Sequence, residues 1–408
     1  MNLDSRIEKF AELAIKTGVN IQPGETLLIR ADINSHLFAR KCQVEAYKAG
    51  AKHVYIEYSD EVAAHNKYLL APEESFNEYP QWQADKYTQI AKEGGAFLSI
   101  ISSDPDLLKD VDPDRVGNFQ KASGKLLKEW RSYTLSNKAK WSIVAAPSPE
   151  WAKRVYPELS QEDAFNKLWE SILDCSRVTE DPIAAWEEHN KNLSEKTKIL
   201  NEMNFKELRY KSSKTDLVIG LPEKHNWISG ASFDPKGNLF NPNIPTEEVY
   251  GMPHKYKVDG IVYSTKPLVY AGCIIDNFWL KLEGGKIVDY DAEVGKETLR
   301  LLIETDEGSL RFGEVALVPY DSPISNTNTV FYTTLFDENA SCHFAIGAAY
   351  PSSVSDGNTL SEEDYDSRGI NTSITHVDFM VGDSDLDIIG IKQNGEEFQV
   401  FKNGNWAF

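Results

Sequence analysis

The residues with chemistry to offer lie in the C-terminal half of the chain. Thr375-His376-Val377-Asp378-Phe379-Met380 alternates polar and apolar side chains. On a β-strand alternate side chains share a face, so His376 and Asp378 point the same way with Cβ atoms ~7 Å apart. An imidazole and a carboxylate set like this suit one metal ion or two adjacent ions. Taken alone, the same pair reads first as a satisfied core contact.

A second acid and imidazole stand in Asp337-Glu338-Asn339-Ala340-Ser341-Cys342-His343. Glu338 and His343 are five apart, a spacing that matches neither a helix face nor a strand face. They converge only from an irregular turn, where ligands often sit. A surface acid and a core histidine is the plainer reading. Glu314 interrupts Phe312-Gly313-Glu314-Val315-Ala316-Leu317-Val318, which otherwise reads as a buried strand; a lone acid there usually faces solvent or caps a turn. Glu247 and Glu248 follow Thr246, and if Thr246 is a helix N-cap both are ordinary first-turn acids.

Each signal is weak by itself, and their sum is more specific. Glu248, Glu314, Glu338 and Asp378 supply four negative charges, which match two divalent cations, and His343 and His376 add two imidazoles. Hard oxygen ligands with histidine suit Zn, Mn, Co or Mg rather than a thiolate site. A dinuclear centre of that kind lowers the pKa of a bridging water and clamps a tetrahedral intermediate. Glu247 competes with Glu248, and side-chain direction must choose between them. Other chemistries lack their signatures: there is no P-loop, no G-x-S-x-G nucleophile elbow, no H-E-x-x-H helix and no Gly-rich dinucleotide turn after the first strand.

The elements that must position these residues come in two textures. The first part alternates helical spacing (Ile7, Phe10, Ala11, Leu13, Ala14; then Leu37 to Ala49, ended by Gly50) with apolar strands at 26–31, 53–58, 96–101 and 141–146. Strands separated by helices predict a mostly parallel α/β sheet. Lys153 to Lys211 is charged and helical in character, with Trp169, Ile172, Leu173 and Trp186 as anchors, and reads as a connector. From Asp216 short strands follow at 217–220, 260–263, 278–282 and 286–290, the last two joined by the hairpin signal Glu283-Gly284-Gly285. Ala292 to Thr305 reads as a helix. The expected organisation is two α/β domains: residues 1–205 with a mostly parallel sheet and helical connector, and residues 206–408 with a mixed sheet carrying the metal site.

Composition narrows the partners. The chain has 408 residues, enough for two or three domains, and its 41% apolar content with 18 Phe, 18 Tyr and 9 Trp supplies sizeable cores. A net charge of −20 argues against nucleic acid and anionic membrane surfaces as partners. Cys42, Cys175, Cys273 and Cys342 are scattered, with no C-x-x-C, as expected of free thiols in a reducing cytoplasm. The acid-containing N-terminal segment does not read as a signal peptide, and no apolar run reaches the eighteen residues of a membrane span.

At these residues the chain resembles the thermophilic metalloaminopeptidase family of aminopeptidases T, S and PepS. The matching segments are NPNIPTEEVYGMPH (241–254), RFGEVALVPYDSPIS (311–325), LFDENASCHFAIGAAYP (335–351) and THVDFMVGD (375–383), with EKFAELAIKTGVNIQPGETLLI near the start. The resemblance spans essentially the full length. It implies metal ligands at Glu248, Glu314, Glu338, His343, His376 and Asp378, a bridging and catalytic role for Glu314, and a catalytic tyrosine at Tyr350. It implies two divalent ions (Zn, Co, Mn or Mg), short peptides with a free N-terminus as substrates, and two α/β domains in a homodimer around an enclosed cavity. The alternatives are a dinuclear hydrolase of another amide or a phosphoester, with Arg311 and Lys255 as the nearest bases in sequence, and a non-catalytic metal-binding protein.

Overall fold

In the computed structural model, which describes residues 1–102 and 104–408, the chain forms two compact units. One comprises Met1–Lys191 with Gly230–Thr246, the other Asn192–Ser229 with Glu247–Phe408. The fold class is α/β, with a parallel sheet in the first unit and antiparallel sheets in the second.

The first unit is built on strands β1 (Thr26–Asp32), β2 (His53–Ser59), β3 (Ala96–Ile101) and β4 (Trp141–Ala145). They pair in parallel in the order β2-β1-β3-β4. Leu27, Leu28 and Ile29 are all buried, as expected for a strand covered on both faces. Helices make the parallel returns, among them His36–Lys48 between β1 and β2 and Gln81–Lys92 between β2 and β3. Each strand lies within a residue of the segment whose apolar run predicts it. One charged pair is sealed inside this unit: Lys140 Nζ donates to Glu25 Oε2 at 2.6 Å and to the Asn20 carbonyl at 2.7 Å, with the two side chains 3% and 8% exposed.

The helical connector ends earlier than its composition suggests. Helix Pro182–Met203 gives way to strand Phe205–Lys211, in which Leu208 and Tyr210 point inward and Lys206 and Arg209 outward. That strand lies in a nine-stranded sheet with segments 216–220, 258–263, 268–270, 273–283, 286–294, 387–392, 397–402 and 405–406. The expected helix from Ala292 also starts later. Strand Lys286–Val294 continues until Phe278 pairs with Ala292 and Asp276 with Val294, and the helix occupies Lys296–Ile303. Strand pairing across the hairpin overrides the local helical pattern. The hairpin turns at Gly284 and Gly285, both at positive φ; a Cβ on Gly285 would lie 1.9 Å from the Lys255 carbonyl oxygen.

The second sheet of this unit has five antiparallel strands: β5 (Ile228–Ser229), β6 (Val249–Gly251), β7 (Phe312–Leu317), β8 (His343–Gly347) and β9 (His376–Met380). Their order is β9-β8-β7-β6-β5. Glu248 therefore enters a strand, and no helix follows Thr246. One face of the sheet carries Val249, Val315, Leu317, Phe344, Ile346 and Phe379 into the unit's apolar core. There Phe312 and Phe344 stack at 5.2 Å and Phe278 meets Phe379 at 5.4 Å, joining the two sheets.

The buried pair in the first unit gives a direct test. Lys140→Met leaves the Glu25 carboxylate buried beside a more distant Lys236 at 3.7 Å. We expect a loss of about 3–5 kcal/mol, measured as a shift of the first unit's transition in urea unfolding. A shift within error refutes the structural role of the pair.

Candidate metal centre

The period of two that buries one face of the five-stranded sheet exposes the opposite face to chemistry. Glu314 on β7 pairs in register with Ala345 on β8, and Ala345 with Asp378 on β9. Ala316 pairs with His343, and Gly347 with His376. Across one row, then, the small Ala345 leaves room between Glu314 and Asp378, while His343 and His376 flank that row. Glu248 arrives from the next strand over, just before β6.

These side chains form two triads that share one residue. Glu248, Glu314 and His343 make the first; Glu314, His376 and Asp378 make the second; within each, the ligand atoms lie within 4.8 Å of one another. His343 Nε2 is 3.0 Å from Glu248 Oε2 and 3.6 Å from Glu314 Oε1. His376 Nε2 is 3.6 Å from Glu314 Oε2 and 3.4 Å from Asp378 Oδ1. Glu314 thus offers one oxygen to each triad. Of the two adjacent acids, Glu248 is the one whose carboxylate reaches His343.

Both imidazoles are oriented by the main chain. His343 Nδ1 lies 2.9 Å from the Glu338 carbonyl and 3.2 Å from that of Ser341, and His376 Nδ1 lies 2.7 Å from the Ala348 carbonyl. A carbonyl only accepts, so each Nδ1 carries a hydrogen and each Nε2 is the nitrogen that faces the carboxylates, the orientation of a metal-ligating histidine.

Glu338 stands outside both triads. It sits in the turn Glu338–Ala340, is buried, and accepts a hydrogen bond from Asn339 Nδ2 at 3.3 Å. Its carboxyl is pushed well above the usual range by burial, with Asp378 and Glu248 adding to the shift, which places it in the field of the cluster. Tyr350 follows β8 by three residues. Its ring meets His376 edge-on at 4.9 Å and lies 5.9 Å from the ring of Tyr250. Burial, with Glu314, Tyr250, Asp378 and Glu248 as further causes, raises the Tyr350 hydroxyl far above its ordinary value, so it remains a neutral donor.

The same crowding acts on the other groups. Burial pushes the Glu314 carboxyl up to about 7, with Asp378 and Glu248 reinforcing the shift and His343 opposing it. Burial depresses both imidazoles, but the carboxylates outweigh it: His376 rises to about 10, chiefly through Asp378, and His343 rises well above its ordinary value through Glu248 and Glu314. Burial also raises Asp378, yet His376 and His343 hold it below the usual range. Asp378 Oδ1 has no hydrogen-bond donor although it is buried. Four carboxylates face two imidazoles, and an orphaned buried oxygen among them fits a cation site. The donor set fits divalent ions that take oxygen and imidazole.

Two participants escape the sequence pattern. Tyr250 shares the face of Glu248, two residues on, and reading 249–251 as a strand would have found it. Asn339 lies beside Glu338, but its amide also accepts from the Glu247 backbone N–H, a long-range contact.

The charge crowding sets a pH dependence for the metal-free protein. A carboxyl whose folded pKa is raised stabilises fully below its unfolded value and loses that contribution as pH rises through its folded value. For Glu314 the window runs from 4.5 to about 7. For His376, raised in the folded state, the sign is the same and the window runs from 6.5 to about 10. In chelator, the melting temperature should fall as pH rises from about 5 to about 9, and Glu314→Gln should flatten the lower part of that fall. A melting temperature that rises with pH over this range contradicts the assignment.

With this geometry in hand, comparison with known proteins is informative. The sequence profile of the family described as thermophilic metalloprotease (M29) matches residues 3–406. Aminopeptidase 2 of Geobacillus stearothermophilus is 47% identical over 406 residues, covering 99% of this chain and 98% of that one. Aminopeptidase AmpS of Bacillus subtilis is 48% identical over 408 residues, covering 100% of both. The structure of wild-type AmpT from Thermus thermophilus superposes with a TM-score of 0.93 at 39% identity, covering 100% of both chains. Matched along nearly its whole length in sequence and in fold, the chain belongs to the thermophilic metalloprotease family (M29).

Proposed function

We propose that the protein is a metalloaminopeptidase that releases N-terminal residues from short peptides through a dinuclear centre held by Glu248, Glu314, Glu338, His343, His376 and Asp378. The observation that carries this reading is the division of one carboxylate: Glu314 gives Oε1 to the His343 triad and Oε2 to the His376 triad. The names of the relatives, all aminopeptidases, support the reaction class. A homodimer in the cytoplasm belongs to the same reading.

Two divalent ions held there would supply a water of lowered pKa and Lewis acidity toward the scissile carbonyl. The remaining steps belong to the chain. Glu314, whose two oxygens face the two triads, would help hold or deprotonate the attacking water. Tyr350, kept protonated by burial and by the surrounding carboxylates, donates to the oxyanion of the tetrahedral intermediate. The Nδ1 contacts hold both imidazoles in one tautomer and orientation, so the ligands need no rearrangement. The substrate's free amine would be held at an ion or at one of the site's carboxylates, and this restricts cleavage to the first bond.

A phosphoester substrate is disfavoured by the nearest bases. Arg311 Nη1 donates to the Lys255 and Gly284 carbonyls, and Lys255 Nζ pairs with Asp366 at 2.6 Å, so both are committed elsewhere.

Release of p-nitroaniline from leucine p-nitroanilide should vanish in chelator and return with Co²⁺ or Zn²⁺, and blocking the leucine amine by acetylation should stop it. Full activity in a demonstrably metal-free sample, or equal cleavage of the acetylated substrate, contradicts the proposal. Tyr350→Phe should keep its metal content and lose ~10²-fold in kcat, about 3 kcal/mol of transition-state stabilisation. Glu314→Gln should lose both metal affinity and kcat. Metal stoichiometry with steady-state kinetics separates the two roles, and the opposite pattern reverses the assignment.

A further inference from the structure

Asn339 is fully buried, and every hydrogen-bonding atom of its side-chain amide is engaged. Its Oδ1 accepts from the Glu247 backbone N–H at 2.7 Å. Its Nδ2 donates to the Leu335 carbonyl at 2.9 Å and to Glu338 Oε1 at 3.3 Å. The two segments so joined are far apart in sequence. One is the peptide immediately before Glu248, at the start of β6. The other is the turn Glu338–Ala340, which also supplies the carbonyl that orients His343. One planar amide therefore touches the carboxylate of Glu338 directly and the main chain next to Glu248 directly.

The chemistry of the side chain matters here. An acceptor is required toward the Glu247 N–H, and a donor is required toward a carboxylate that no other hydrogen bond of the described residues is seen to hold. Asparagine supplies both at fixed separation. An isosteric aspartate retains the acceptor but turns a second negative oxygen on Glu338. In a cluster already crowded with carboxylates, the donor side of the amide keeps Glu338 in one place and spares it an alternative orientation away from the triads.

We propose that Asn339 is a positioning residue of the metal centre: it fixes the carboxylate of Glu338 and, through the neighbouring peptide, the approach of Glu248. This inference rests on the dinuclear reading above. Residues that orient a ligand in this way typically change metal affinity by ~10- to 100-fold when removed.

The test uses the full-length protein and Co²⁺ binding by equilibrium dialysis, with melting of the chelated protein alongside. Asn339→Asp should weaken Co²⁺ binding by ~10- to 100-fold. In a Glu338→Gln background the same substitution should add less than about a twofold further loss, because its partner carboxylate is already gone. Unchanged Co²⁺ affinity, or an equal loss in both backgrounds, overturns the proposal. So does a variant that melts lower in chelator yet binds Co²⁺ normally, since that is a packing role alone. If Asn339→Asp does not fold, Asn339→Ser, which is too short to reach Glu338, is measured in the same way; failure of both to fold assigns Asn339 to the fold and overturns the proposal. Absence of Co²⁺ binding by the unsubstituted protein removes the metal-centre reading itself, an outcome distinct from failure of this inference.

Discussion

The C-terminal unit is organised around a carboxylate that its own neighbours cannot satisfy. Glu314 lies in the middle of a strand whose six residues are all buried, with an imidazole near each of its oxygens and two further carboxylates in its field. An isolated charge in such a place is costly, and a buried carboxyl answers by shifting toward its neutral form. The upward shifts of Glu314 and of both histidines, and the orphaned oxygen of Asp378, are one electrostatic imbalance seen from several groups. A cation-binding site is the arrangement that resolves it.

Such an imbalance needs a rigid platform, and the sheet supplies one by its alternation. Each candidate ligand on the site face is flanked along its strand by residues of the apolar face: Val315 beside Glu314, Phe344 beside His343, Val377 and Phe379 beside Asp378. Phe344 stacks on Phe312 and contacts Tyr210 at 5.2 Å, which locks β8 against the nine-stranded sheet. Displacing a ligand would require lifting an aromatic side chain out of a close-packed core, so the packing energy holds the geometry that the charges oppose. The strands alone do not complete the site. Glu338 and Tyr350 come from turns flanking β8, where the backbone is free to re-aim a side chain but must be tied by hydrogen bonds such as those of Asn339 and of the His343 and His376 rings.

Much of the architecture is legible in the sequence because it is local. The four strands of the first unit follow from apolar runs bounded by Gly and Pro turns, and the same-face pairing of His376 and Asp378 follows from the period of a strand. Local patterns fail where a distant strand decides. The stretch after Ala292 looks helical but stays extended because residues 273–283 lie beside it, and Phe205–Lys211 leaves the helical connector to join a sheet whose other members come from both ends of the second unit. The excursion of residues 230–246 into the first unit has no signature in composition.

The site divides along the same line. The sequence by itself determined the ingredients: four carboxylates, two imidazoles and a tyrosine, in segments whose combined pattern marks the family. It could not choose between Glu247 and Glu248, show that Glu314 is shared, or reveal the contact of Asn339 with the Glu247 N–H, because each depends on which strand lies beside which. Antiparallel register set Glu314, Ala345 and Asp378 in one row, and burial turned a row of ordinary acids into a cluster with strongly shifted protons. Residue type is written in one dimension; the distance between charges, and their burial together, exists only once the sheet has formed.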